Sequence, residues 1–207
     1  MLHKFAVLIW IFGYMSNFEM YFNEGWKHIA DWKGNDHILF VMALCVRYVW
    51  QDWRKLLVLV TAFTIGHSVT LALSVFDVVN VSTKWIEFLI PVTIIIAAIS
   101  NLFVKKFVYK SKFPLIYFFA LFFGLIHGLG FSNYLKSILG KDQNILVQLF
   151  AFNIGLEVGQ LLIVAAVLLL GVVVVGLFKA SRREYIVFIS GAVFGLALQM
   201  VLDRWPL

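Results

Sequence analysis

Residues 145–178 read ILVQLFAFNIGLEVGQLLIVAAVLLLGVVVVGLF, a stretch of 34 residues in which Glu157 is the only charge. A helix needs about 20 apolar residues to cross the hydrocarbon of a bilayer. The short alternating segments of a transmembrane β-barrel are missing here. The stretch is therefore a membrane helix, longer than one crossing requires. It either tilts or keeps its polar first half inside a bundle while VAAVLLLGVVVVGLF faces lipid.

Outward from it the same character recurs, in runs at roughly 4–22, 37–50, 54–76, 85–104, 113–135 and 185–202. Of the 207 residues, 62% are hydrophobic and only 14% charged, and the mean hydropathy is +0.94. A soluble domain carries about 25% charged residues, so a water-soluble globule is excluded. The expected fold is all-α: one transmembrane domain over residues 1–207, with about seven membrane-spanning helices. Lys4 followed by FAVLIWIFG has the outline of a short signal segment, but no A-x-A-like cleavage site follows, so a retained first helix is expected. The single cysteine, Cys45, excludes an intrachain disulfide and a Cys-pair metal site.

The net charge of +6 is not a nucleic-acid signal, because the basic residues sit in short loops between apolar runs. Lys4 and the loops 47–55, 105–112 and 179–183 together carry eleven of the seventeen Lys and Arg residues. Positive charge marks the cytoplasmic side. Seven spans in a bacterial inner membrane then leave the N-terminus inside and the C-terminus outside, with lipid as the surrounding partner. No internal repeat emerges beyond a short echo between FTIGHS (63–68) and FGLIHG (123–128).

Within these runs lie side chains that hydrocarbon rejects. His67 stands in VTAFTIGHSVTLAL (60–73), His127 in FFALFFGLIHGLGF (118–131), and Asn153 and Glu157 in the first half of the sixth run. Asp36 and His37 open the second run, and Glu87 lies just inside the fourth. At 1.5 Å per residue, His67 and His127 lie about 20 Å from the basic end of their helices. Five helices thus carry polar groups in the outer half or near the midplane, which is how a bundle builds a shared internal site. An ionisable group there costs about 2.5–3.5 kcal/mol on insertion scales and needs a partner or a task. Imidazole with carboxylate suits a borderline divalent metal ion. The plain alternatives are histidines bonded across helices to hydroxyls, Glu157 as a neutral acid joining helices, Asn153 as a bridge, and Glu87 paired with Lys84.

Five stretches resemble the HupE/UreJ family in sequence and in order. They are EGWKHIADWKGNDHILF (24–40), AFTIGHSVTLAL (62–73), WIEFLIPVTIIIAAISN (85–101), FGLIHGLGFS (123–132) and FAFNIGLEVGQ (150–160). The resemblance implies a small helical permease that moves a divalent transition metal inward. Ni²⁺ is the first expectation, with Co²⁺ or Zn²⁺ as other possible ions. It also implies His28, Asp36 and His37 as a first metal-binding motif, with His67, His127 and Glu157 matching further polar positions. Five residues usually separate the family's leading His from its Asp-His pair; here seven separate His28 from Asp36.

Two rival readings follow from the same residues. One is an intramembrane zinc hydrolase, with His67-Ser68 and the other imidazoles holding Zn²⁺ and a water, acting on a lipid amide or ester. The other is an accessory protein whose buried polar groups only fix the bundle. The permease is the principal expectation, with His28, Asp36, His37, His67, Glu87, His127, Asn153 and Glu157 as candidate metal-site residues.

Overall fold

Long apolar runs need every backbone group bonded within the segment, and helices supply that. The computed structural model describes residues 17–103, 115–138 and 145–206, which form seven helices and, among those residues, no strand. In chain order they are α1 (17–29), α2 (Asp36–Cys45), α3 (Trp53–Val75), α4 (Thr83–Phe103), α5 (Leu115–Ile138), α6 (Ile145–Gly171) and α7 (Arg182–Asp203). A 3₁₀ turn, Trp50–Asp52, leads into α3, and a π-helical turn, Val172–Leu177, extends α6. The lysines of loop 105–112 and the start of the first apolar run lie outside the described residues.

Five of these segments are long and apolar enough to cross a membrane: Trp50–Val75, Thr83–Phe103, Leu115–Ile138, Ile145–Leu177 and Arg182–Asp203. A capping box opens the last of them. Ser181 accepts from the Glu184 backbone N–H at 3.1 Å, and Glu184 accepts from that of Ser181 at 3.3 Å.

The second run departs from its expected bounds. α2 stops at Cys45 after ten residues, about 15 Å, too short to cross alone. Beyond it Arg47 is buried and donates to Ser100 Oγ at 2.8 Å, while its own carbonyl accepts from Arg182 at 2.7 Å. A buried guanidinium must be hydrogen-bonded. Holding it against α4 and α7 ends the helix, and Val49 continues the chain in extended conformation.

Glycines set the closest helix contacts. A Cβ on Gly66 would collide with the Leu121 carbonyl, and one on Gly124 with that of Phe63, so α3 and α5 pack backbone to backbone, running parallel. Gly25 and Gly155 repeat this contact between α1 and α6: each would collide with the carbonyl of the other helix, at Phe152 and Phe22 respectively. The sequences echo the packing. Gly-Leu-x-x-Gly occurs at 124–128 and 155–159, and Phe-x-x-Gly at 22–25 and 63–66. The structure therefore contains a repeated packing unit that the sequence pattern alone did not reveal.

The two pairs run in opposite senses. Along α1, Tyr21 Oη donates to Ile138 O (3.0 Å), Tyr134 Oη donates to Glu24 (3.1 Å), and the His28 ring lies tilted against that of Phe131, centres 3.7 Å apart. Those contacts step backwards along α5, so α1 is antiparallel to it and descends from the Asp36 end of the bundle. The descent of α1 brings His28 inside.

Candidate metal site

Four imidazoles arrive from four elements. His28 comes from the inner end of α1, His37 from the first turn of α2, His67 from the middle of α3 and His127 from α5. His37, His67 and His127 are 4%, 0% and 1% exposed, which removes water as their solvent. The ring centres of His28 and His37 are 4.5 Å apart, those of His37 and His127 5.1 Å, and those of His28 and His67 5.8 Å. One ring nitrogen from each of His28, His37 and His67 lies within 4.8 Å of the other two.

Most of these nitrogens are not paired off among the described residues. His28 Nε2, His37 Nε2, both nitrogens of His67 and Nδ1 of His127 are buried without a hydrogen-bond partner, and His37 Nδ1 has Asp36 beside it. Buried polar groups in folded proteins are almost always satisfied, so a group left open needs an explanation. Three imidazole nitrogens this close together fit a divalent ion, to which each ring can offer a lone pair. The remaining ring nitrogen of His127, Nε2, lies 3.1 Å from Thr93 Oγ1, a contact that fixes its ring.

Asp36 stands beside the cluster. Its Oδ1 is 3.4 Å from His37 Nδ1, and its Oδ2 is 3.3 Å from Arg204 Nη1. Burial opposes charge on this carboxyl. The neighbouring His37, His127 and Arg204 outweigh that and hold it below the usual carboxylate range. Asp36 lies outside the five long apolar segments and is the anion nearest the imidazoles.

A cavity of about 720 Å³ opens above the cluster, with His28, His37 and His127 on its wall. Glu24, Asp31, Asp36 and Glu87 line it as well, opposed by Lys27 and Arg204. Acidic walls concentrate cations in a cleft. Below the rings the surroundings turn apolar. Phe40, Phe63 and Phe123 are buried, and the Phe40 ring lies 5.1 Å from Phe63, 5.6 Å from Phe123 and 5.1 Å from His127.

Of the eight residues singled out in the sequence, the structure gathers His28, Asp36, His37, His67 and His127. The seven-residue spacing after His28 is absorbed in a tight turn, where Asp31 Oδ1 accepts from the Lys33 backbone N–H at 2.9 Å. Glu87 stays at the exposed rim of the cavity, where its carbonyl accepts from Arg204 at 3.5 Å. Glu157 stands apart, accepting from Thr61 Oγ1 at 2.7 Å, and Asn153 Oδ1 is buried without a partner one turn away on α6. Ser68, which a hydrolase would need free, donates to Thr64 O at 2.6 Å. Sequence reasoning missed Thr93, Arg204 and Phe131. A threonine in an apolar run, a terminal arginine and one phenylalanine of 21 carry no signal until the fold places them.

The sequence profile described as HupE / UreJ protein matches residues 8–205, nearly the whole chain. The chain belongs to the HupE/UreJ family. Neither a curated protein nor a solved structure matches it. This family member is a multi-pass membrane protein with five long apolar helices, and its described residues place a histidine cluster at the foot of an acidic funnel.

Proposed function

We propose that this HupE/UreJ protein is an inner-membrane permease for a divalent transition-metal ion, with nickel as its first substrate and cobalt next. The observation that carries this reading is the convergence of His28, His37 and His67, with unpartnered nitrogens, at the foot of a cavity open to one end of the bundle. Imidazole donors favour nickel, cobalt and zinc over magnesium and calcium. Family membership supports the same role.

The ion enters from the periplasm, drawn by Asp31, Asp36 and Glu87. It exchanges water for imidazole nitrogens and leaves toward the end where Arg47, Arg182 and Arg183 gather. On this reading that basic end faces the cytoplasm. Asp36 orients His37 and offsets part of the incoming charge, while Arg204 holds Asp36 from the other side.

Purified protein in liposomes tests the reading. It should bind about one tight equivalent of Ni²⁺ or Co²⁺ and carry the ion down an imposed gradient. His67→Ala and His37→Ala should each weaken binding by roughly 10–100-fold or more, the range seen when a metal site loses supporting groups. Wild-type protein that neither binds nor carries these ions would remove the permease reading.

A further inference from the structure

An ion held by the imidazoles needs a way onward, and straight down the bundle it meets the buried phenyl rings of Phe40, Phe63 and Phe123. The α3–α6 seam offers different chemistry. On α3, Ser68, Thr64 and Thr61 place hydroxyls on successive turns, and Thr61 lies six residues before His67, about 9 Å further from the funnel. On α6, Asn153, Glu157 and Gln160 follow at i, i+4 and i+7, one stripe facing those hydroxyls. The two stripes meet: Thr61 Oγ1 donates to Glu157 at 2.7 Å, and Thr64 Oγ1 to Gln160 at 2.8 Å.

Two features of this seam go beyond helix packing. Among the described residues of the five long segments, Glu157 is the one carboxylate more than two turns from a helix end, and one hydroxyl is its partner. Its neighbours are not all satisfied. Asn153 Oδ1 is buried with no partner, and the Gln160 side chain, 0% exposed, leaves its Nε2 without one. The open acceptor of Asn153, one turn from a carboxylate with a single hydroxyl partner, suits a cation, and the open Gln160 donor suits a water accompanying it.

We propose that the α3–α6 seam is a second cation station of oxygen donors, built by the Glu157 carboxylate with Thr61 Oγ1 and Asn153 Oδ1, which receives a divalent ion from the imidazole cluster. The inference rests on the permease reading and extends it. The order of ligands suits release: nitrogen donors select the ion, and weaker oxygen donors pass it on. Glu157 then has a role distinct from the imidazole site. The apolar floor can stay closed while the ion moves sideways along the seam.

Binding of Co²⁺ alone to the purified full-length protein tests this, because the cobalt absorption spectrum reports its ligands. Wild type should bind one tight and one weak equivalent. Glu157→Gln should lose the weak one and keep the tight-site spectrum, with liposomal uptake down at least tenfold. Glu157→Asp should restore part of that uptake, which a purely structural role would not require. Thr61→Val, which keeps shape and removes the hydroxyl, should weaken the second site severalfold and gives a second readout if Glu157→Gln folds poorly. His67→Ala should do the reverse, losing the tight site first. Uptake at the wild-type rate in both Glu157→Gln and Thr61→Val, or a single equivalent bound by wild type, overturns the station while leaving the permease intact. No Co²⁺ bound or carried by wild type overturns both.

Discussion

At the scale of single residues, the imidazoles were legible because hydrocarbon makes them conspicuous: His67 and His127 each interrupt an apolar run, and both reach the cluster. Their partners were not legible, since nothing in the sequence distinguishes Thr93 or Arg204 from ordinary helix and tail residues. Arg204 leads to a prediction. Its guanidinium shares Asp36 with the site, 3.3 Å from Oδ2, and opposes an arriving cation. Arg204→Gln should tighten Ni²⁺ binding about threefold to tenfold, the effect of removing one like charge several ångströms away in a hydrated mouth. Calorimetric titration measures it, and weaker binding would show that Arg204 acts by holding Asp36 in place. The pH response has a definite sign. Asp36 has a lowered carboxyl pKa in the fold, so its stabilising charge is present above the unfolded value and is lost only as the solution becomes strongly acidic. Asp36→Asn should lower Ni²⁺ affinity at neutral pH in the same titration, because it removes the carboxylate 3.4 Å from His37 Nδ1.

At the scale of elements, hydropathy located the long helices well and the short ones badly. An apolar run records that a segment avoids water, but not where its helix ends. Run 37–50 therefore concealed the stop at Cys45 imposed by the buried Arg47. The direction of α1 was not legible either: amphipathic character does not give a helix its sense, which here follows from its contacts with α5. The glycine contacts make the element-scale prediction. At Gly124 a side chain meets the Phe63 carbonyl, which is backbone and cannot move aside without separating α3 from α5. Gly124→Val should destabilise the folded protein by about 1–3 kcal/mol or more, and it should loosen the site because His67 and His127 ride on those helices. Gly191→Val, where a Cβ meets nothing within 4 Å, should leave the fold unchanged. Thermal unfolding in detergent compares the two, and equal stability would mean that the α3–α5 contact is not close.

At the scale of the whole molecule, two parallel helix pairs of opposite sense, α3 with α5 and α1 with α6, enclose the imidazoles between them. Transporters built from oppositely oriented repeats place their substrate near the middle and expose it by rocking one unit against the other. Here the pairs share backbone-close glycine contacts within each pair, which make each a stiff body. Between the pairs the contacts are side chains: Tyr21 with the Ile138 carbonyl, Tyr134 with Glu24, and His28 against Phe131. A rocking motion would break these and spare the glycine contacts. A short bifunctional thiol cross-linker between Glu24→Cys and Tyr134→Cys, with the buried Cys45 replaced by Ser, should fix α1 to α5 at the mouth. The locked protein should lose uptake while retaining Ni²⁺ already bound at the cluster, and cleaving the linker should restore transport. A linker joining Gly191→Cys on exposed α7 to nothing but reagent supplies the control for modification alone. Full transport with the α1–α5 link in place would mean that the pairs do not move against each other, and that the ion crosses a bundle whose two halves stay fixed.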